Sequence, residues 1–339
     1  MPTAWRTRLS ATPLVAVLAM LAACSTSGTD LGFPPEETGT VVVVAYLDRD
    51  GNRTFTPVVD TLVGGARIAL LLKGSSDTVR TVATGNNGVA SFTQVPLGEY
   101  RLGVVASSLG DSIQVGSIDS SFAPSPIGTI RLETAPDSVG AAVRLTFPEV
   151  TLRQVRTMPL GKRVTVRGVI LAGVQSFRDT TSHMSDSSGA LRLTRVVLRG
   201  GLVGNTPGDS VSVIGLTSTR TGQPTLDQSV ITRFATRPPP VPVQVNTATA
   251  ATAANGVLDA NLVNVTGATI SDTSTVAPDF KVTVSDGSGS VVILLDGNLP
   301  FVRSAFRPAR SLNARGVLVP DGAGRWSIKP RDPNDVVLF

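Results

Sequence analysis

Ser185-Asp-Ser-Ser-Gly189, followed by Leu191-Arg-Leu193, returns 100 residues later as Ser285-Asp-Gly-Ser-Gly289, followed by Val291-Val-Ile293. The match extends in both directions. Val166-Arg-Gly168 answers to Val265-Thr-Gly267, Ser210-Val-Ser-Val-Ile-Gly215 to Ser311-Leu-Asn-Ala-Arg-Gly316, and Gly222-Gln-Pro-Thr-Leu226 to Gly324-Arg-Trp-Ser-Ile328. The offsets run 99, 100, 101 and 102 residues, so the two copies share one order. A period this long marks a duplicated domain and not a solenoid. Asp-x-Ser-Gly between two apolar runs reads as a hairpin turn. The glycine that closes Val-x-Gly lets a strand bend between two faces. Each copy, 150–237 and 245–339, therefore reads as a small β-barrel.

Between the copies stands Arg237-Pro238-Pro239-Pro240-Val241-Pro242, inside a linker placed at 238–244. Successive prolines lack N–H groups and favour polyproline II, so this stretch reads as a stiff spacer. Ahead of the first copy, 39–149 carries a row of short strand signals: Thr40–Leu47, Ala66–Leu72, Thr78–Thr84, Val89–Val95, Tyr100–Ala106, Thr129–Leu132 and Ala142–Phe147. About seven such strands suggest a β-sandwich. The whole reads as all-β, one sandwich followed by two tandem barrels. The Ala-rich run Thr247–Asn255 is the one helical expectation.

Two resemblances follow from these residues. Tyr46-Leu-Asp48-Arg-Asp50-Gly-Asn52, Asp60, Gly64-Gly65-Ala66, Thr84-Gly-Asn-Asn-Gly88 with Phe92, and Val95-Pro-Leu-Gly-Glu-Tyr100 together resemble a B-type repeat of serine-aspartate surface proteins. Those domains are relatives of the prealbumin-like and carboxypeptidase-regulatory-like sandwiches. The resemblance implies a spacer or adhesive module without catalysis. The duplicated copies resemble the OB-fold repeats of secreted bacterial nucleases. The match is better in the second copy, through Trp326-Ser-Ile-Lys-Pro330-Arg331-Asp332 with Asp335-Val336. An OB barrel implies a possible face for oligonucleotides or oligosaccharides, but no nuclease domain accompanies it here.

At the N-terminus, Arg6 and Arg8 precede an apolar run, Pro13–Leu21, and then Leu21-Ala22-Ala23-Cys24. The run is too short to span a bilayer, which needs about 20 residues, but has the size of an export signal. It resembles a bacterial lipoprotein signal, with 1–23 removed and Cys24 lipidated. Two or more acyl chains anchor a protein stably. The resemblance implies an extracytoplasmic protein on a membrane face. Ser25, where aspartate would favour retention, points to the outer membrane. Residues 24–38 then read as a flexible tether.

Cys24 is the one cysteine in 339 residues, so the mature domains have no disulfide framework and no cysteine metal site. Asp48, Asp50 and Asn52 match the first three ligand positions of a calcium loop, and Asp60 offers a distal carboxylate. Against calcium, Arg53 stands where that loop has glycine and resists a positive φ, and Val59 stands where its bidentate glutamate belongs. A polar turn and a calcium site are both open readings.

Charge separates the domains. Residues 150–237 hold 12 basic and 4 acidic side chains, net +8, while 245–339 balance 8 against 8 and 39–149 hold 8 basic and 10 acidic. Such a field favours anionic polymers. Arg167, Arg192, Arg195 and Arg199, on or beside the expected strands, are the candidate polyanion-binding residues. The partners expected are anionic polysaccharide, lipopolysaccharide or nucleic acid. The competing reading is that arginine, which outnumbers lysine 26 to 4, is a general surface residue here. Aromatic residues are too few for a base-stacking track.

Catalytic residues are not discernible. His183 is the one histidine, and the expectation is a solvated loop or strand position. Zinc chemistry needs several His or Cys ligands. The reading is a non-enzymatic surface lipoprotein without cofactor apart from possible calcium, serving binding or assembly. The alternatives are a ligand-free spacer, or an accessory subunit of a separately encoded nuclease or glycosidase. Metabolic labelling with a clickable fatty acid is expected to mark the wild-type chain and not Cys24→Ala; label on the variant would refute lipidation there.

Overall fold

The computed structural model describes residues 37–120, 129–133, 138–174, 176–177, 179–198, 205–322 and 324–339. Cys24, the signal and most of the tether lie outside the described residues, as does Arg199.

The first unit is a two-sheet sandwich. One sheet holds β1 (Thr38–Leu47), β2 (Thr61–Leu62), β5 (Val89–Pro96), β7 (Gln114–Ser120) and β9 (Ser138–Thr146); the other holds β3 (Arg67–Leu72), β4 (Thr78–Ala83), β6 (Gly98–Val104) and β8 (Thr129–Leu132). β1 is the hub. It pairs antiparallel with β2 and β5 on one edge and parallel with β9 on the other. Val41, Val43 and Ala45 alternate into the core, where they meet Ile68, Leu70, Phe92, Ile130, Val143 and Leu145. Period-two burial of this kind is what a strand with one covered face requires. Tyr100 closes one end, its ring buried and its hydroxyl donating to the Pro96 carbonyl at 2.7 Å.

The first barrel is built from β10 (Arg163–Ala172), β11 (Ser182–Asp186), β12 (Gly189–Leu193), β13 (Val197–Leu198), β14 (Asp209–Arg220) and β15 (Gln223–Thr236). β10, β11 and β12 form a meander, β14 pairs with both β10 and β15, and β12 closes the ring by running parallel to β15 (Arg192 opposite Thr225, Leu193 opposite Leu226).

The second barrel repeats this with β17 (Leu262–Val276), β18 (Asp279–Ser285), β19 (Ser290–Leu295), β20 (Ser311–Pro320) and β21 (Trp326–Lys329), flanked by β16 (Val243–Gln244) and β22 (Val336–Leu338). Its closure, Val292 opposite Ser327 and Ile293 opposite Ile328, falls on the residues equivalent to those of the first barrel. This connectivity is that of the OB barrel. Two of the glycines sit where strands press together. A Cβ at Gly168 would collide with the Ser185 carbonyl, and one at Gly316 with that of Lys329.

The Asp-x-Ser-Gly motif does more than turn the chain. A short helix precedes each barrel, α1 (Leu152–Val155) and α2 (Thr247–Thr252). Asp186 accepts from Leu152 N–H at 2.9 Å and Ser188 Oγ from Arg153 N–H at 3.0 Å. In the second copy Asp286 accepts from Thr247 N–H at 3.0 Å and Ser288 Oγ from Ala248 N–H at 3.2 Å. The first amides of a helix have no partner within it, so the hairpin tip supplies one. α2 falls inside the expected Ala-rich stretch. α1 was not expected, although Thr151 and Gln154 form a capping box that announces it.

The barrels pack directly on one another, so the proline segment does not hold them apart. Leu171, Ala172, Phe177 and Ala190 of the first meet Ala260, Leu262, Val317 and Val319 of the second. Polar bonds rim this seam. Asp259, 2 % exposed, accepts from Arg156 at 2.7 Å, Gln223 Nε2 at 2.8 Å and Trp326 Nε1 at 2.7 Å, and Arg331 donates to the Leu171 carbonyl at 2.9 Å. The sandwich docks on the first barrel through Ile214, which joins its core, and through Thr232, whose hydroxyl donates to the Asp50 carbonyl at 2.6 Å.

Truncating a helix-capping side chain costs about 0.5–2 kcal/mol. Asp186→Ala and Asp286→Ala are each expected to lower stability by that much in a denaturant titration, and to add when combined because the sites share no partner. Unchanged midpoints would contradict the capping role.

Candidate functional site

The candidate arginines among the described residues, Arg167, Arg192 and Arg195, do not form one face. Arg167, on β10, pairs with Glu149 at 3.2 Å and lies 6.0 Å from the Phe234 ring centre. Arg195 pairs with Asp227, its Nε at 2.7 Å from the carboxylate, and holds that carboxyl down at about 2. Arg156 and Arg233 are likewise engaged, with Asp259 at 2.7 Å and Asp209 at 3.7 Å. Arg192 turns inward. Asp227 and Asp209 are already counted in the +8, whereas Asp259 and Glu149 belong to neighbouring domains and offset two more of its charges. Among the described residues, Arg153, Lys162 and Arg237 are exposed basic side chains of this barrel outside any ion pair.

Arg192 leads to a cavity of about 240 Å³ at the seam. Its walls are Phe177, Thr181, His183, Arg192 and Arg220 from the first barrel, and Leu294, Val319, Pro320 and Lys329 from the second. His183 and Arg192 are direct cross-strand partners on β11 and β12. His183 is 1 % exposed, which overturns the solvated position expected for it. The reason is tertiary: Phe177 meets its ring edge-on at 5.8 Å between centroids, and the second barrel covers the mouth of this pleat. Lys329 places its Nζ 4.4 Å from the Phe177 ring centre and 2.7 Å from Asp296. Burial, with Arg192 and Lys329 nearby, pushes the His183 pKa down to about 3. Burial and Arg220 likewise press the Arg192 guanidinium below its usual range. Neither ring nitrogen of His183 has a hydrogen-bond partner, and neither does Arg192 Nε.

The acidic loop gathers three of its four expected ligands. Carboxylate oxygens of Asp48, Asp50 and Asp60 lie within 4.8 Å of one another. Asn52 does not present its oxygen to them; that oxygen accepts from Thr54 N–H at 2.8 Å, while its NH₂ donates to Asp50 at 3.2 Å. Asp48, wholly buried, accepts from Gly51 N–H at 2.7 Å, Arg53 N–H at 3.1 Å and Arg144 at 3.1 Å. Asp60 accepts from Arg49 N–H at 2.9 Å and Thr56 N–H at 2.7 Å.

Burial, with Asp60 and Asp48 alongside, raises the Asp50 pKa against the pull of the Asn52 amide. The crowded oxygens suit a hard divalent cation, whose charge would relieve that repulsion. Arg53 adopts φ 67°, so it does not resist the turn as its side chain led one to expect. Its guanidinium is seated 4.7 Å from the Phe234 ring centre on the first barrel, which holds the loop in place.

No protein-family model matches the sequence, and no curated protein matches it either. Solved structures give distant likenesses. The minor pilin GBS52 of Streptococcus agalactiae is 14% identical over 33% of this chain, with a TM-score of 0.24. The match takes in 45% of the pilin, less than half its length. A murine DNA-binding protein bound to double-stranded DNA is 9% identical over 52% of this chain and 97% of its own, TM-score 0.29. The tetrameric p202 HIN2 is 12% identical over 52% and 92%, TM-score 0.26. At these scores the likenesses carry no functional argument.

His183 makes stability depend on pH. The unfolded imidazole protonates near pH 6.5 and the folded one only near 3, so the unfolded chain binds more protons between these values. The stabilisation is complete above pH 6.5 and falls by about 1.4 kcal/mol per pH unit as pH drops through that window. Replacing the group by His183→Leu is expected to remove this part of the slope between about pH 6 and pH 4; identical slopes for variant and wild type would contradict the burial of a neutral ring.

Proposed function

We propose that this chain is a lipid-anchored extracytoplasmic module that binds or assembles with anionic polymers and carries out no catalysis. The anchor at Cys24 holds the sandwich at the membrane, and the sandwich in turn presents the first barrel. The observation that supports binding is the concentration of basic residues in that barrel, with Arg153, Lys162 and Arg237 exposed and outside any ion pair described. Contacts of this kind are made with phosphate or sulfate groups along a polymer, with little readout of sequence, because rings for stacking are scarce.

Affinity of the full mature chain for heparin or duplex DNA is expected to fall steeply with salt through counterion release. The triple variant Arg153→Gln, Lys162→Gln, Arg237→Gln should show a shallower salt slope, by about 0.9 per lost phosphate contact on duplex DNA. Arg195→Gln should leave the slope nearly unchanged, since Asp227 already neutralises that charge. Equal slopes for the triple variant and the wild type would favour a spacer without a polymeric ligand.

The crowding of Asp48, Asp50 and Asp60 supports a structural calcium ion in the same account, bracing the loop through which the sandwich meets the first barrel. Millimolar calcium is then expected to raise the melting temperature of the mature chain by mass action, and Asp50→Ala to abolish the rise. A wild type indifferent to calcium would leave the loop as a hydrogen-bonded turn.

A further inference from the structure

Beside the cavity at the barrel seam lie polar atoms in want of a partner. His183 Nδ1 and Nε2 and Arg192 Nε are buried without one, which is unfavourable for each group. Arginine can only donate, whereas a neutral imidazole donates from one nitrogen and accepts at the other. Burial and two cations keep His183 neutral. The two ring nitrogens face opposite edges of the ring, so one small occupant meets at most one of them; toward Arg192 and Arg220 it must offer acceptors. It must also carry negative charge, because Arg192, Arg220 and Lys329 all line the space. The bordering carboxylates do not fill this role: Asp296 is engaged by Lys329 at 2.7 Å, and Asp179 accepts the Thr181 hydroxyl at 2.6 Å. Apolar walls of Phe177, Leu294 and Val319 lower the local dielectric and strengthen any charged contact made there. The volume of about 240 Å³ admits a small anion with water around it.

We propose that the seam cavity is a binding site for a phosphate group, either free as hydrogenphosphate or borne by a phosphate monoester. Its oxygens accept from the guanidinium groups of Arg192 and Arg220, which line the space. Because both barrels supply walls, the occupant bridges them. The site shares no residue with Arg153, Lys162 and Arg237, so it stands or falls separately from the polymer-binding reading.

The test is calorimetric titration of the full mature chain with inorganic phosphate and phenyl phosphate, each against chloride at constant ionic strength. Saturable phosphate binding is expected. Arg220→Gln and Arg192→Gln should each weaken it on the order of tenfold or more, as loss of a charged hydrogen bond does, while Arg153→Gln leaves it unchanged. Arg220 is exposed at the end of β14, so its variant keeps the test sound even if Arg192→Gln fails to fold. Binding of phenyl phosphate as well as inorganic phosphate would identify a group carried on a larger molecule; inorganic phosphate alone would identify the free anion. No saturable phosphate binding, or equal binding by wild type and Arg220→Gln, would overturn the proposal.

Discussion

The apolar seam between the barrels is the contact on which the rest of the arrangement depends. Leu171, Ala172, Phe177 and Ala190 pack with Ala260, Leu262, Val317 and Val319 in one buried cluster, and burial of such side chains is the main favourable term in association. Asp259 sets the register of the two faces. A buried carboxylate is tolerated only when its lone pairs are met, and Arg156 and Gln223 from one barrel and Trp326 from the other meet them. A rotation of one barrel against the other would strand this charge. The seam also explains why a histidine lies out of solvent and the arginine opposite it on the neighbouring strand is half-buried. Their pleat is covered by a barrel that comes more than a hundred residues later in the chain.

Within each barrel a second constraint works locally. The acidic hairpin tip caps the helix that precedes the first strand, so the order helix, meander, return strands is tied together at one point. Both copies keep the aspartate and the second serine, while the residue between them changes from Ser187 to Gly287. The conserved part of the internal repeat is thus the part that bonds to the helix amides. Asp286 is held well below the usual carboxylate range first by Ser288 and then by Thr247, in keeping with a carboxylate surrounded by donors.

Much of the fold was legible in the sequence because its signals are local. Runs such as Thr40–Leu47 and Ala66–Leu72 declare strands by composition, and the duplication gave the order of both barrels. The strands that escaped have weak local signals: Gln114–Ser120 mixes small and polar residues, and Thr61–Leu62 is two residues long. The helix Leu152–Val155 is a single turn, visible only through its capping box. The site was harder to read for a different reason. Net charge counts residues and takes no account of the distribution of partners, so Arg167 and Arg195 looked free when Glu149 and Asp227 hold them. His183 looked solvated because nothing in Thr180-Thr-Ser-His-Met announces the second barrel.

The two barrels form one body with a cavity between them. The mature chain's freedom from cysteine beyond Cys24 makes this directly measurable. Spin labels at Lys162→Cys and Ser274→Cys, in a Cys24→Ala background, report the distance between exposed positions on the two barrels by pulsed electron resonance. A docked seam predicts one narrow distance distribution. A broad distribution, as from two domains swinging on a proline linker, would contradict the seam and with it the cavity that the seam encloses.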